Sequence, residues 1–278
     1  MTAFLELLKA ILFGIVEGIT EWLPVSSTGH MILLDEFVHL KVSKEFYSMF
    51  EVVIQLGAIG AVILLFFHKL NPLSPKKSAR QKKATWQLWF KVIAAVLPSA
   101  VLGLLLDDWL DEHLYNYVVV AVTLILYGVA FLLAERYNSS RKPRITGVHS
   151  IDYKTALLIG CFQCLSLIPG TSRSGATILG AILLGVGRSA GAEFSFFLAI
   201  PTMLGASALK LLKFVLSGVS VTGLEIAVLL TGSLVSFLVS LLVIRGLMEY
   251  VRKRSFSVFG YYRIALGALV LLYFLIRK

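Results

Sequence analysis

The chain has 278 residues, is 58% hydrophobic and only 15% charged, and has a mean hydropathy of +0.85. Soluble domains lie nearer half apolar and a quarter charged, so a soluble enzyme or binding domain is excluded. Its apolar runs of about 20 residues match the roughly 30 Å core of a bilayer and differ from the alternating segments of about 10 residues that build a membrane barrel. The net charge of +10 does not point to nucleic acid: the Lys and Arg residues fall in short loops between apolar runs, as the positive-inside bias produces, rather than on a solvated basic face.

In chain order, residues 3–34 are too short and too interrupted for two ordinary spans. Residues 5–16 are apolar, Pro24 breaks the helix, and residues 31–34 resume it. The pattern predicts a hairpin that dips into the membrane and returns to the same side, which requires protein or a wet cavity to cover its backbone. A cleavable signal peptide is not expected, because Glu6 precedes Lys9 and no basic leader comes first. Residues 35–46 read as a polar loop and 47–67 as the first span. Lys69, Lys76, Lys77, Arg80, Lys82 and Lys83 mark 68–85 as cytoplasmic. Residues 86–106 form the second span, with Trp86 and Trp89 as interface anchors. Asp107, Asp108, Asp111 and Glu112 read as an acidic external loop, 117–134 as the third span, and Arg136, Arg141, Lys142 and Arg144 as a second cytoplasmic loop.

Residues 152–187 repeat the hairpin pattern, broken at Pro169-Gly170, and 192–212, 224–244 and 261–276 are three more spans. Arg245, Arg252, Lys253 and Arg254 put the loop before the last span in the cytoplasm, whereas Lys210 and Lys213 fall on the external side, against the bias, where Lys can snorkel. Cys161 and Cys164 form C-x-x-C, but without a second pair or a nearby His they read as small hydrophobes in an apolar helix. Gly14, Glu17, Pro24, Ser27 and Gly29 align with Gly160, Gln163, Pro169, Ser172 and Gly175, with one one-residue gap between Glu17 and Pro24 and another between Ser27 and Gly29. Three crossings separate the hairpins, so the second approaches from the opposite face. The expected fold is an all-α polytopic membrane protein with an inverted-topology repeat, each half a re-entrant helical hairpin plus three transmembrane helices. Residues 1–140 make the first repeat, with its hairpin at about 3–34, and 150–278 the second, with its hairpin at about 152–187; together they form one membrane domain. Such folds hold their sites where broken helices meet near the midplane.

The hairpins carry the chemistry. Residues 17–30 read E-G-I-T-E-W-L-P-V-S-S-T-G-H, and 163–177 read Q-C-L-S-L-I-P-G-T-S-R-S-G-A-T. Glu17 and Glu21 are four apart and share a helix face. An intramembrane acid costs at least about 2.5–3.5 kcal/mol on insertion scales and marks function by default; two together require a shared proton or a cation between them. Arg173 keeps its charge, and its planar fork suits phosphate oxygens. It lies between Ser172 and Ser174, after Gly170 and Thr171 and before Thr177, where a helix start near Ser174 offers N–H groups to an anion. Ser26, Ser27, Thr28 and Gly29 offer the same after Pro24, with His30 within reach. A hydroxyl, a histidine, two carboxylates and an arginine are the parts for phosphoryl transfer: Ser27 attacking with His30 or Glu21 as base, or water attacking while Ser27 binds. A transporter or flippase is the competing expectation for an inverted repeat.

These residues resemble the bacterial undecaprenyl-diphosphate phosphatase family, the bacitracin-resistance proteins, whose signatures are E-x-x-x-E running on to P-V-S-S-T-G-H, and P-G-x-S-R-S-x-x-T. Both stand intact at residues 17–30 and 169–177, and the resemblance covers essentially the whole chain. It implies hydrolysis of undecaprenyl diphosphate to the monophosphate and phosphate, recycling the peptidoglycan carrier lipid and conferring bacitracin resistance. It further implies a bacterial inner-membrane location, a site open to the periplasmic side, and Glu17, Glu21, Ser27, His30 and Arg173 as the catalytic set. Ser26, Thr28, Gly170, Thr171, Ser172, Ser174 and Thr177 would bind substrate. A divalent cation, magnesium or calcium, would sit at Glu17 and Glu21. The expected partners are the polyprenyl diphosphate lipid, the bilayer and a second copy in a homodimer.

Overall fold

Helix caps and prolines set the element boundaries in the computed structural model, which describes residues 2–276. Met1, where the first assigned repeat begins, and residues 277 and 278, where the second ends, lie outside the described residues. The first hairpin is α1 (Thr2–Thr20), a turn through Pro24, and α2 (Ser27–Phe37). It is followed by α3 (Lys44–Val53), α4 (Gln55–Leu65), the single turn α5 (Phe67–Leu70), α6 (Ala79–Leu114) and α7 (Tyr117–Asn138). The second hairpin is α8 (Tyr153–Cys164), a 3₁₀ turn (Leu165–Leu167) and α9 (Arg173–Leu183), followed by α10 (Arg188–Leu216), α11 (Gly223–Lys253) and α12 (Ser257–Ile276). Among the described residues six helical stretches are long and apolar enough to cross a membrane, with α3 and α4 together making one of them.

Three expectations need correction. Residues 35–46 are not a loop throughout: α2 continues through Phe37, and Ser43 caps α3 by accepting from the Phe46 amide at 3.1 Å. The acidic residues 107–112 are not a loop either. No Gly or Pro interrupts the chain there, so α6 runs on to Leu114, 36 residues in all; at 1.5 Å per residue that is about 54 Å, well beyond a bilayer core. At this polar end the Lys213 ammonium of α10 lies 2.7 Å from Asp108, an exposed ion pair. The span expected at 47–67 is broken at Ile54, where the Gly57 amide turns back to the Ile54 carbonyl at 3.1 Å, tighter than an α-turn.

Long helices hold the hairpins through glycine contacts. A Cβ on Gly14 of α1 would lie 2.6 Å from the Gly232 carbonyl oxygen of α11, and one on Gly160 of α8 would lie 2.1 Å from the Ala95 oxygen of α6. Small residues let backbones approach this closely, which is how helices associate in lipid. Thus α1 packs on a span from the second half of the chain, and α8 on a span from the first. The N-terminal half of α10 is buried from Ala190 to Ile200 and forms the centre of the core with Trp22, Phe131 and Ile178.

Candidate active site

Both hairpin turns have the same local construction. Ser26 precedes α2 with φ of 74° and Ser172 precedes α9 with φ of 72°; among the described residues these are the non-glycine positions with positive φ. Left-handed backbone at a residue bearing a Cβ is strained and persists where the surroundings over-determine it, most often at functional sites. Each serine hydroxyl accepts from the amide three residues on, Gly29 at 3.2 Å and Gly175 at 3.1 Å, an N-cap. Gly170, with φ of 86°, supplies the second turn and lies against Thr123 of α7.

The two tips meet inside the protein. Arg173 directs Nε and one terminal nitrogen at Glu21 Oε1, at 3.3 and 3.2 Å, and its other terminal nitrogen at the Ser195 carbonyl, at 2.8 Å. The other oxygen of Glu21 accepts from the Ser27 hydroxyl at 2.6 Å. Glu21 therefore joins the hydroxyl of one hairpin to the guanidinium of the other, and both its oxygens are engaged. Ser174 ties the tips again by donating to the Glu21 and Leu23 carbonyls at 3.0 and 3.1 Å. Thr177 bonds the Arg173 carbonyl at 2.9 Å and the Ser195 hydroxyl at 2.7 Å. The hydroxyls of Ser174 and Thr177 are thus engaged within the protein, and both residues are fully buried.

His30 is turned away from Ser27. Its Nδ1 lies 2.7 Å from the Ser26 carbonyl and its Nε2 lies 2.6 Å from the Tyr262 hydroxyl of α12, with the two rings parallel. In this geometry the proton acceptor in contact with Ser27 is Glu21.

A cavity of about 740 Å³ opens beside the tips, lined by Glu17, Thr28, Tyr47, Glu51, Gln55 and Lys210 among others. Its wall includes Asp108 and Glu112 near the end of α6, so it faces the end of the bundle opposite the Lys-rich segment before α6. Of the expected site residues, Glu17 and Thr28 line it directly, and Ser27 adjoins Thr28. Glu17 is 1% exposed, and neither carboxylate oxygen has a hydrogen-bond partner. A buried carboxylate left so is costly unless it is neutralised or coordinates a cation. A divalent cation therefore fits this donor set, with Glu17 as the available ligand rather than Glu21.

Two charged residues went unnoticed in the sequence. Arg263 of α12 is fully buried and donates to the carbonyls of Pro24 at 3.1 Å, Gly170 at 2.8 Å and Thr171 at 3.0 Å, clamping both turns from behind. Glu51 of α3 shares the cavity with Glu17, and the Tyr115 hydroxyl donates to its Oε2 at 3.4 Å. Each lies within an apolar span, and an ionisable residue there was the available signal.

The family model described as "Bacitracin resistance protein BacA" matches residues 10–269, and the chain belongs to that family. It is 59% identical over 270 residues to an undecaprenyl-diphosphatase of Lactiplantibacillus plantarum, covering 97% of this chain and 98% of the relative. It is 57% identical over 272 residues to an undecaprenyl-diphosphatase of Enterococcus faecalis, covering 98% and 99%. The like-named Streptococcus mutans protein is 57% identical over 275 residues, covering 99% and 98%.

Proposed function

We infer that this chain is an integral membrane phosphatase that hydrolyses undecaprenyl diphosphate to undecaprenyl phosphate and inorganic phosphate, recycling the carrier lipid of the cell wall and conferring bacitracin resistance. The observation that carries the chemistry is the unbroken contact Ser27–Glu21–Arg173 across the two hairpin tips. The lipid diphosphate enters from the bilayer with its headgroup in the cavity beside Glu17 and Thr28. The Ser27 oxygen attacks the terminal phosphorus while its proton passes to Glu21, and the bond from that phosphorus to the bridging oxygen breaks, releasing the lipid monophosphate. Arg173 lies next to that proton acceptor and offers its positive charge to the phosphoryl oxygens as charge shifts onto them. Water then attacks the phosphoserine, Ser27 recovers its proton, and phosphate leaves. The N–H groups at the starts of α2 and α9 hold phosphate oxygens, and His30 with Tyr262 orders the first turn of α2.

A magnesium or calcium ion, held through Glu17, would supply charge neutralisation to the diphosphate. The cavity opens on the face away from the basic loops, so the positive-inside bias makes it the outer face of the cell membrane. The matched serine caps and the crossed packing of α1 on α11 and α8 on α6 support an inverted-topology repeat.

The test is phosphate release from undecaprenyl diphosphate by the purified protein in detergent. Ser27→Ala is expected to lose turnover while retaining lipid binding, and the wild type quenched during turnover of lipid labelled on its terminal phosphate should carry label on Ser27. Near-normal turnover of Ser27→Ala would make water the nucleophile and remove the covalent step.

A further inference from the structure

The acids expected to hold a cation together, Glu17 and Glu21, have unequal roles. Glu21 has a guanidinium on one oxygen and a hydroxyl on the other, so its charge is already matched. Glu17 has neither, at 1% exposure. Arg173, the buried cation beside the pair, is engaged by Glu21 and the Ser195 carbonyl. Glu17 lines the cavity, whose wall carries three other carboxylates: Asp108, paired with Lys213, the exposed Glu112, and Glu51 within the spanning α3, with Gln55 four residues further along. Glu51 and Gln55 put a carboxylate and an amide oxygen, both hard donors, on the wall shared with Glu17.

We propose that Glu17 and Glu51 are the protein's half of a divalent-cation site whose remaining ligands are diphosphate oxygens and water. Among the described residues no group of three or more His, Cys, Asp or Glu side chains is arranged to hold a metal by itself, so a closed all-protein cage is excluded there. Magnesium-type ions characteristically bind one or two carboxylates plus substrate phosphates and keep several waters. The site is thus completed by the lipid headgroup, and cation and diphosphate bind cooperatively. This rests on the proposal that a diphosphate occupies the cavity, and the test separates the two.

Mn²⁺ binding to the full-length protein in detergent is followed by electron paramagnetic resonance, with and without methylenediphosphonate, a diphosphate that cannot be hydrolysed. The wild type is expected to bind one Mn²⁺ weakly alone, and on the order of 10-fold or more tighter with methylenediphosphonate. Glu17→Gln and Glu51→Gln should each weaken the ternary complex by about 10–100-fold, the range for perturbed metal sites, whereas Glu21→Gln should leave it largely unchanged. Glu51→Asp, which retains the charge but withdraws it by one methylene, should fall between wild type and Glu51→Gln and serves where the amide variant does not fold. Wild-type affinity in both Glu51 variants, or equal losses in Glu21→Gln and Glu51→Gln, would overturn the assignment. Absence of Mn²⁺ binding by the wild type would do so too. A wild type that hydrolyses the lipid while the Glu51 variants bind Mn²⁺ normally sinks this inference and leaves the phosphatase standing; one that neither hydrolyses the lipid nor binds methylenediphosphonate sinks both.

Discussion

Arg263 gives the sharpest test of how the two turns are held. From outside the hairpins its guanidinium bonds both turns, through the carbonyls of Pro24 in the first and of Gly170 and Thr171 in the second. Arg263→Met keeps most of the side-chain volume and strands three buried carbonyls. Each stranded group costs about 1–3 kcal/mol, or roughly 3–9 in total. Against this, the variant no longer buries a charge, which relieves several kcal/mol. The net loss of stability is therefore modest, about 2–4 kcal/mol. Activity should suffer more, because a displacement of about 1 Å between reacting groups can cost about 100-fold, and loosening the turns separates Ser27 and Glu21 from Arg173. The expected outcome is a folded protein with a lowered Tm, kcat on undecaprenyl diphosphate reduced by about 100-fold and KM changed far less. Arg263→Lys retains the charge but not the fork that reaches both turns, so it should recover stability better than turnover. If Arg263→Met keeps kcat within about two-fold of wild type at a temperature where it is folded, the turns are positioned by other contacts and the clamp is not needed.

Two further outcomes follow from distances at the tips. Arg173→Ala removes the cation bonded to Glu21, and kcat should fall by on the order of 100–1,000-fold or more; Arg173→Lys should restore little, since one ammonium cannot span Glu21 and the Ser195 carbonyl as the guanidinium does, and phosphate release measures both. Gly170→Ala should destabilise the protein by about 2–4 kcal/mol, judged by Tm in detergent, because the position has φ of 86° and a Cβ there would lie 2.1 Å from the Thr123 hydroxyl and 2.7 Å from the Val120 carbonyl; an unchanged Tm would mean that the turn relaxes freely.

How much was legible depended on what each signal measures. Hydropathy locates apolar runs, and the six spanning stretches lie where it put them. It cannot end a helix that leaves the membrane without meeting Gly or Pro, so α6 was expected to stop near 106 although it continues to Leu114. Nor does it register the tighter turn at Ile54, where the flanking sequence F-E-V-V-I-Q-L-G contains no proline; the Gly57 amide that closes this turn lies where α4 packs directly on α11, a Cβ there falling 2.0 Å from the Ser233 carbonyl oxygen. That Arg173 would meet one of the hairpin acids was foreseeable from charge, since ions of opposite sign in lipid seek each other; that the acid is Glu21 and not Glu17 was not. Arg263 and Glu51 obey the same rule but stand outside any motif, and motif reading passed over them.

The two hairpins, alike in their caps, differ at the position four residues before Glu21 and its counterpart in α8. Glu17 is ionisable and both its oxygens are unpartnered, whereas Gln163 is a neutral amide whose oxygen is unpartnered but whose nitrogen donates to Ser99 at 2.7 Å and to Thr202 at 3.2 Å. Both acceptors immediately follow a helix proline, Pro98 in α6 and Pro201 in α10, positions where the backbone ladder is already interrupted and the hydroxyls can turn toward a neighbouring helix. The amide nitrogen thus ties α8 to two long spans, and the group carries no charge for a cation to neutralise. One hairpin presents a guanidinium, and the other carries the acids and the Ser27 hydroxyl. On this argument Gln163→Glu would not create a second reaction centre: it would replace donated hydrogen bonds by a buried charge facing the same hydroxyls, and α8 would loosen before any chemistry was gained.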